Sequence, residues 1–387
     1  MVAVKEFAGY RHKEPQEFAL KPYDVISDAE ATEMRKNYKS GIFIEIPLGE
    51  GEEKYKVAAK ETEKFSKELI VDEPSIYVYE ESSKEFTQRG FVVCASLQDY
   101  LDGKIKIHEK TREAPLKDRI KHLEATKTNT GLIWLIFRKN GKIKRMMSQI
   151  QKEKPIIEFP KYGFTHKVWK VSDKETIQKV KDAFAPLELY IADGHHRCAS
   201  AAEIYKRRVA EGKPNGEHAY VEAFCASEDE LRIMPYNRII RKLPMPFDAL
   251  IEKMGEKFKV KPAKKDKPAH HEVLMYGNRQ WWSVKPKKVP KGDVESLDVS
   301  IIQNDLLAPI LGIADPRKDP NIFFEGGVLT KADMQKFGDA GNDLVLYMHP
   351  TSMKELMRVA DAKKDMPPKS TWFDPKLLSL LVFHKID

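Results

Sequence analysis

Cysteine is scarce. Only Cys94, Cys198 and Cys225 occur in 387 residues, odd in number, scattered and outside any C-x-x-C pair. Neither a disulfide framework nor a cysteine-based zinc site is indicated. Long apolar runs are missing too. The longest uninterrupted one is Leu132–Phe137, far short of the ~20 residues needed to cross a bilayer. The opening MVAVKEFAGYRHKEP has neither the apolar segment nor the cleavage site of a secretory signal. These absences give the expectation of a cytoplasmic protein with no membrane partner. No fixed-period repeat is visible. Neither a G-x-x-x-x-G-K-[ST] run nor a kinase-type G-x-G-x-x-G loop is present, which disfavours P-loop enzymes and protein kinases.

Charge is abundant: 33% of residues are Asp, Glu, Lys or Arg, against a typical share of about 25%. The 67 basic and 59 acidic side chains leave a net +8. Much of the excess falls in Lys253–Lys291, where lysine alternates with proline (KVKPAKKDKP, VKPKKVPK). Such a stretch makes a poor helix and reads as a solvated loop or a domain boundary. A nucleic-acid surface would call for arginines and aromatics on one face, so nucleic acid is disfavoured and anionic small molecules stay open. The adjacent His270 and His271 fall in this region and read as solvent-exposed. A length of 387 residues suits about two or three domains. The expected divisions are an N-terminal α/β region over 1–130, a core over 131–260 and a C-terminal α/β region over 261–387.

The middle of the chain is the most legible. GLIWLIFR (131–138) is a β-branched and aromatic run that reads as a buried strand. Thr165–Val171 alternates like a strand. Ser172 and Glu175 form an S-x-x-E capping pattern, and Ile177, Val180 and Phe184 recur at helical spacing up to Pro186. A strand through Leu187–Ile191 leads to ADGHHR and a helix over Cys198–Glu211, with Ala201, Ala202, Tyr205 and Val209 on its inner face. Another strand follows over Tyr220–Cys225. Further on, VLMYGNRQWWSV reads as a hairpin through Gly277-Asn278, and Val299, Ile302 and Leu306 mark one helix face. Alternating strands and helices make the fold class mixed α/β.

The sharpest chemical feature is Asp193-Gly194-His195-His196-Arg197, between a strand and a helix. A helix N-terminus offers unpaired N–H groups and partial positive charge, so it attracts phosphate. Gly194 permits close backbone approach. Arg197 can fork across two phosphate oxygens. His195 and His196 can donate hydrogen bonds or shuttle protons near neutrality. Asp193 can hold Mg2+ or take a proton from a hydroxyl. The bland alternative has Asp193 as a helix cap and one histidine buried and satisfied. Outside this segment, Asp24 follows Pro22 and Tyr23 as a candidate base or turn former. His108, Glu109 and Arg112 place an acid/base, an acid and an anion clamp in one short stretch, or else form a charged surface loop.

DGHHR after a strand resembles the signature of the ParB/sulfiredoxin-like fold, especially its free L-serine kinase branch, over some 25 residues. Sulfiredoxin itself needs a cysteine immediately before the arginine. His196 stands there, which puts that chemistry aside. PYDVIS (22–27), HEKTRE (108–113), NTG (129–131), IADGHHR (191–197), LDVSIIQNDLL (297–307) and MPPKSTWFDPKL (366–377) together resemble an uncharacterised prokaryotic family that carries ADGHHR, nearly end to end. These resemblances imply a ParB/sulfiredoxin-like core with additional strands and helices. They imply a kinase passing phosphate from ATP or ADP, with Mg2+, to free L-serine or another hydroxylated metabolite. In that reading Asp193, Asp24 and Glu109 are the catalytic candidates. Gly194, His195, His196, Arg197 and Arg112 bind the nucleotide, and Asp193 holds the metal. The alternative is a nucleotide-responsive, ParB-like DNA-binding or scaffold protein, although no helix-turn-helix signature is visible. A third reading is metal-dependent hydrolysis. A homo-oligomer is left open.

Overall fold

Runs of β-branched and aromatic residues pair into a mixed sheet, and the helices between them close over its faces. The computed structural model describes Met1–Asp387 and divides them into two compact units. The first comprises Met1–Leu231 together with the C-terminal Pro375–Asp387, and the second Arg232–Asp374. The divisions drawn from the sequence after residues 130 and 260 fall inside these units, the second of them within the strand Phe258–Pro262. The fold is mixed α/β.

The first unit is built on a 10-stranded sheet. Its main path runs Ile105–Lys106, Leu189–Asp193, Ile133–Phe137, Tyr220–Ser227, Thr87–Ser96, Leu69–Ser82, Phe164–Val171 and Ile157–Lys161. Ile133–Phe137 is buried at every position. It pairs antiparallel with Leu189–Asp193 and parallel with Tyr220–Ser227. A strand covered on both faces reads as a continuous apolar run rather than an alternating one, which is why GLIWLIFR is so legible. The C-terminal segment packs into the same unit: Leu380 and Phe383 join Phe18, Leu20, Ile42 and Phe65 in one apolar cluster. Ser379 N donates to Leu20 O at 2.8 Å, and His384–Lys385 pairs with Thr128–Asn129.

Several local expectations move. The helix after Thr165–Val171 spans Lys174–Phe184, and its cap is Asp173, whose carboxylate accepts from Thr176 N at 2.8 Å. Aspartate one residue on from Ser172 is an equally good cap, and helix register decides between them. The next helix spans His195–Ala210, so the two histidines and Arg197 form its first turn instead of preceding it. Val209, expected inside, is 41% exposed, because the apolar stripe of that helix ends at Tyr205.

The second unit carries a six-stranded sheet in the order Phe258–Pro262, Gln280–Pro286, Val273–Gly277, Leu344–Tyr347, Tyr236–Ile240 and Ile322–Gly326, antiparallel throughout. Part of the lysine-proline stretch is therefore sheet. The hairpin turns at Asn278-Arg279, both in the left-handed region (φ 50° and 58°), one residue later than expected. Gly277 serves close packing instead: a Cβ there would lie 2.4 Å from the ring of Phe247. Val299, Ile302 and Leu306 are buried as expected, but the helix that begins at Asp298 widens into a π turn over Gln303–Leu307.

Candidate functional site

The strand Leu189–Asp193 ends beside Ile133–Phe137 at an irregularity in register between Ile191 and Asp193, which re-aims the last residue. Gly194 then turns the chain with φ +89°. A Cβ at Gly194 would meet Ile133 Cα at 3.2 Å and Arg197 Cζ at 3.3 Å, so both the backbone angle and the space require glycine. No side chain caps the helix, so Asp193 is not its cap.

Asp193 faces cations. Its Oδ2 accepts from Lys376 Nζ at 3.2 Å and from Arg197 Nη2 at 3.5 Å. Burial opposes its charge, yet Lys376 and Arg197 outweigh burial and hold the carboxyl well below its ordinary range. An acid held this firmly ionised is a poor proton acceptor. Two cations beside it also repel a divalent metal, so the placement of Mg2+ on Asp193 does not fit. Arg197 also donates to the carbonyl of Leu132. Burial works against the Arg197 charge, but Asp193 and Asp24 raise its pKa.

The two histidines differ. His195 is 8% exposed, and its Nε2 has no hydrogen-bond partner. Burial, reinforced by His108, pushes it well below its ordinary pKa, so it is neutral at pH 7. His196 is lowered by burial and by Arg112. Its Nε2 lies 3.0 Å from the Arg112 backbone N–H and accepts from it. That bond leaves Nδ1 as the donor of neutral His196, and Arg112 meets it through backbone. His108, Glu109 and His195 each offer a ligand atom, and these atoms lie within 4.8 Å of one another. Two imidazoles and one carboxylate suit a transition ion such as Zn2+ or Mn2+, whereas magnesium prefers all-oxygen surroundings.

Behind the helix start lies a cavity of about 30 Å3 lined by Tyr23, Glu45, Arg119, His122, Gly131 and Arg197, among others. Glu45 is 1% exposed. Its Oε1 accepts from Ser379 Oγ at 3.1 Å and Tyr23 N at 3.4 Å, while its Oε2 has no hydrogen-bond partner. Arg119 lies over the Tyr23 ring at 4.1 Å and grips Asp118 through two bonds. His122 donates from Nε2 to Ile44 O at 2.7 Å, and burial with Arg119 lowers its pKa to about 4. Tyr23 is raised to about 12 by burial and by Asp24. Asp24 itself is exposed, in a short 3-10 turn over Tyr23–Val25, and its charge acts on both His196 and Arg197.

The structure thus gathers Asp24, Glu109, Arg112 and residues 193–197 in one region, and adds Glu45, Arg119, His122 and Lys376. Glu45 had a sequence signal: it is the one charge inside the apolar run GIFIEIP. Lys376, 183 residues from its partner, had none.

A family model of proteins of unknown function, DUF1015, matches residues 4–300. The chain belongs to the DUF1015 family. No curated protein matches this DUF1015 member. Among solved structures it is similar to a free serine kinase in complex with AMP, at 14% identity, covering 73% of this chain and 86% of that one, with a TM-score of 0.36. A variant free serine kinase in complex with ADP gives 14% identity, 73% and 87% coverage and a TM-score of 0.37. C-terminally truncated SbnI from Staphylococcus aureus gives 13%, 75% and 86%, and 0.40.

Proposed function

We propose that this protein is a small-molecule kinase that transfers phosphate from ATP or ADP to a metabolite hydroxyl, with free L-serine, giving O-phospho-L-serine, as the acceptor. The observation that carries this reading is one cavity lined by two guanidiniums, Arg119 and Arg197, and by Glu45, a buried carboxylate with an oxygen lacking a hydrogen-bond partner. Phosphoryl transfer asks for cations on the phosphate oxygens and an acceptor for the hydroxyl proton. The helix start at His195–Arg197 places the Arg197 guanidinium and two neutral imidazoles where the dipole is already positive, a setting that favours an anion.

In this mechanism the acceptor hydroxyl oxygen attacks the terminal phosphorus as the bond to the nucleotide oxygen breaks. ATP leaves as ADP, or ADP as AMP, and the hydroxyl proton passes to Glu45 Oε2. Arg197 and Arg119 neutralise the transferring oxygens, Gly194 lets the backbone approach, and His196 donates from Nδ1. Asp193 acts as a positioning residue that holds Arg197 and Lys376. Asp24 acts through its charge on His196 and Arg197, and Arg112 holds His196 through its backbone N–H. A cavity of about 30 Å3 has room for little more than a water-sized group, so in this reading the acceptor hydroxyl enters it and the nucleotide lies outside. The test is incubation with ATP or ADP and a panel of hydroxylated metabolites, read by mass spectrometry. A phosphorylated product supports the reading, and its absence across the panel refutes it.

The cluster of His108, Glu109 and His195 supports a second reading, metal-assisted hydrolysis of a phosphate ester or anhydride. Zn2+- or Mn2+-dependent release of inorganic phosphate without any acceptor would favour it.

A further inference from the structure

The second unit contains an arginine that the proposed phosphoryl transfer does not use. Arg238, on the strand Tyr236–Ile240, is 3% exposed. Its guanidinium donates to the backbone carbonyls of Tyr236 and, at 3.2 Å, Lys369, and lies over the Phe324 ring at 5.4 Å. None of these contacts is to a carboxylate. A buried guanidinium without a counter-charge is costly, because partial hydrogen bonding does not replace the hydration of a full charge.

Arg238 lines a cavity of about 240 Å3. Asp315 and Arg317, also in the lining, are already paired with each other at 2.9 and 3.2 Å. That leaves one positive charge uncompensated. Val299, Phe324 and three prolines make much of the remaining wall. Gln303 enters the cavity where the helix widens into its π turn, with its amide fixed on Ile313 O at 2.9 Å. Such turns recur at functional sites because they displace side chains from ordinary helical register.

We propose that this cavity binds a small organic monoanion, a carboxylate on an apolar body, with Arg238 as its counter-ion. The single unmatched charge sets the ligand's charge. The planar fork of the guanidinium has N–H donors beyond the two carbonyl bonds, and these suit a carboxylate. The apolar wall sets the ligand's body. The volume, below the roughly 300–1,000 Å3 of sites for drug-sized ligands, sets its size. Burial lowers the Arg238 pKa to about 10, with Tyr236 acting the other way, consistent with a charge that awaits a partner. The site does not depend on the phosphoryl-transfer reading.

The test is calorimetric titration of the full chain with formate, acetate, butyrate and benzoate, and with inorganic phosphate. Butyrate and benzoate are expected to bind, at least about tenfold more tightly than formate. Arg238→Met is expected to lose at least about tenfold in benzoate affinity. Because Arg238→Met can itself disturb the strand, Ala314→Glu provides a second test, placing a carboxylate at an exposed lining position. It is expected to weaken benzoate binding by a similar factor with an unchanged circular dichroism spectrum. The proposal is overturned if no carboxylate binds at millimolar concentration, if phosphate binds in preference, or if Ala314→Glu and a folded Arg238→Met both bind benzoate as the wild type does.

Discussion

Asp193 Oδ2 lies 3.2 Å from Lys376 Nζ and 3.5 Å from Arg197 Nη2, so one carboxylate joins the strand end, the helix start and the C-terminal segment of the first unit. Lys376→Met removes one of its two cations and should cost about 1.5–3 kcal/mol of stability at pH 7. Asp193 has a depressed folded pKa, so its contribution is present above the unfolded value of about 3.9 and is lost as pH falls through the lower folded value. Urea unfolding from pH 7 downward checks this: the gap between wild type and Lys376→Met should hold down to about pH 4 and begin to narrow only below it. A gap that already closes between about pH 7 and pH 5 contradicts the pairing.

A second acid sensitivity comes from His122. Burial and Arg119 lower its folded pKa to about 4. The unfolded chain takes up that proton near pH 6.5 and the folded chain does not, so stability falls as pH drops from about 6.5 towards 4. His122→Gln should flatten that part of the stability profile. Nitrogen-15 chemical shifts should show the imidazole neutral at pH 5.5.

Gly194→Ala tests the turn. With φ +89° and contacts at 3.2 and 3.3 Å, an added methyl must either strain the backbone by roughly 1–2 kcal/mol or push Arg197 aside. The expected outcome is a lower melting temperature together with weaker ADP binding by calorimetry. Loss of stability with unchanged ADP affinity would separate the turn from phosphate binding.

Arg197→Lys keeps the charge and loses the fork. Nucleotide affinity is expected to fall about tenfold or more, alongside a lower ligand-free melting temperature from the lost bonds to Leu132 O and Asp193. Normal affinity in a folded variant counts against phosphate gripping by Arg197.

Much of the first unit was legible because its signals are local. The buried strand Ile133–Phe137, the strand ending at Asp193 and the helix carrying Ala201, Ala202 and Tyr205 all show in periodicity or apolar content. The helix start was misplaced by three residues because glycine, with no side chain to cap, gives no sequence cue to where the first turn begins. Within the site, DGHHR declared itself through composition, and the grouping of Asp24, Glu109 and Arg112 with it followed from resemblance rather than spacing. The roles were harder to read. Asp193 looks like a base until Lys376 is placed beside it, and only tertiary packing does that. Glu45 stands out as the one charge in an apolar run, but the arginines that share its cavity lie far away in sequence, and only packing brings them there.

The central claim is that phosphate moves to a hydroxyl next to Glu45. The most direct measurement is phosphorus-31 NMR of the protein with ATP or ADP and L-serine, run beside Glu45→Gln. The account predicts an O-phosphoserine resonance growing as nucleotide is consumed. It also predicts a rate about 10²–10⁴ lower in Glu45→Gln, with ADP affinity retained. No phosphoserine from the wild type, or equal rates from both proteins, would contradict it.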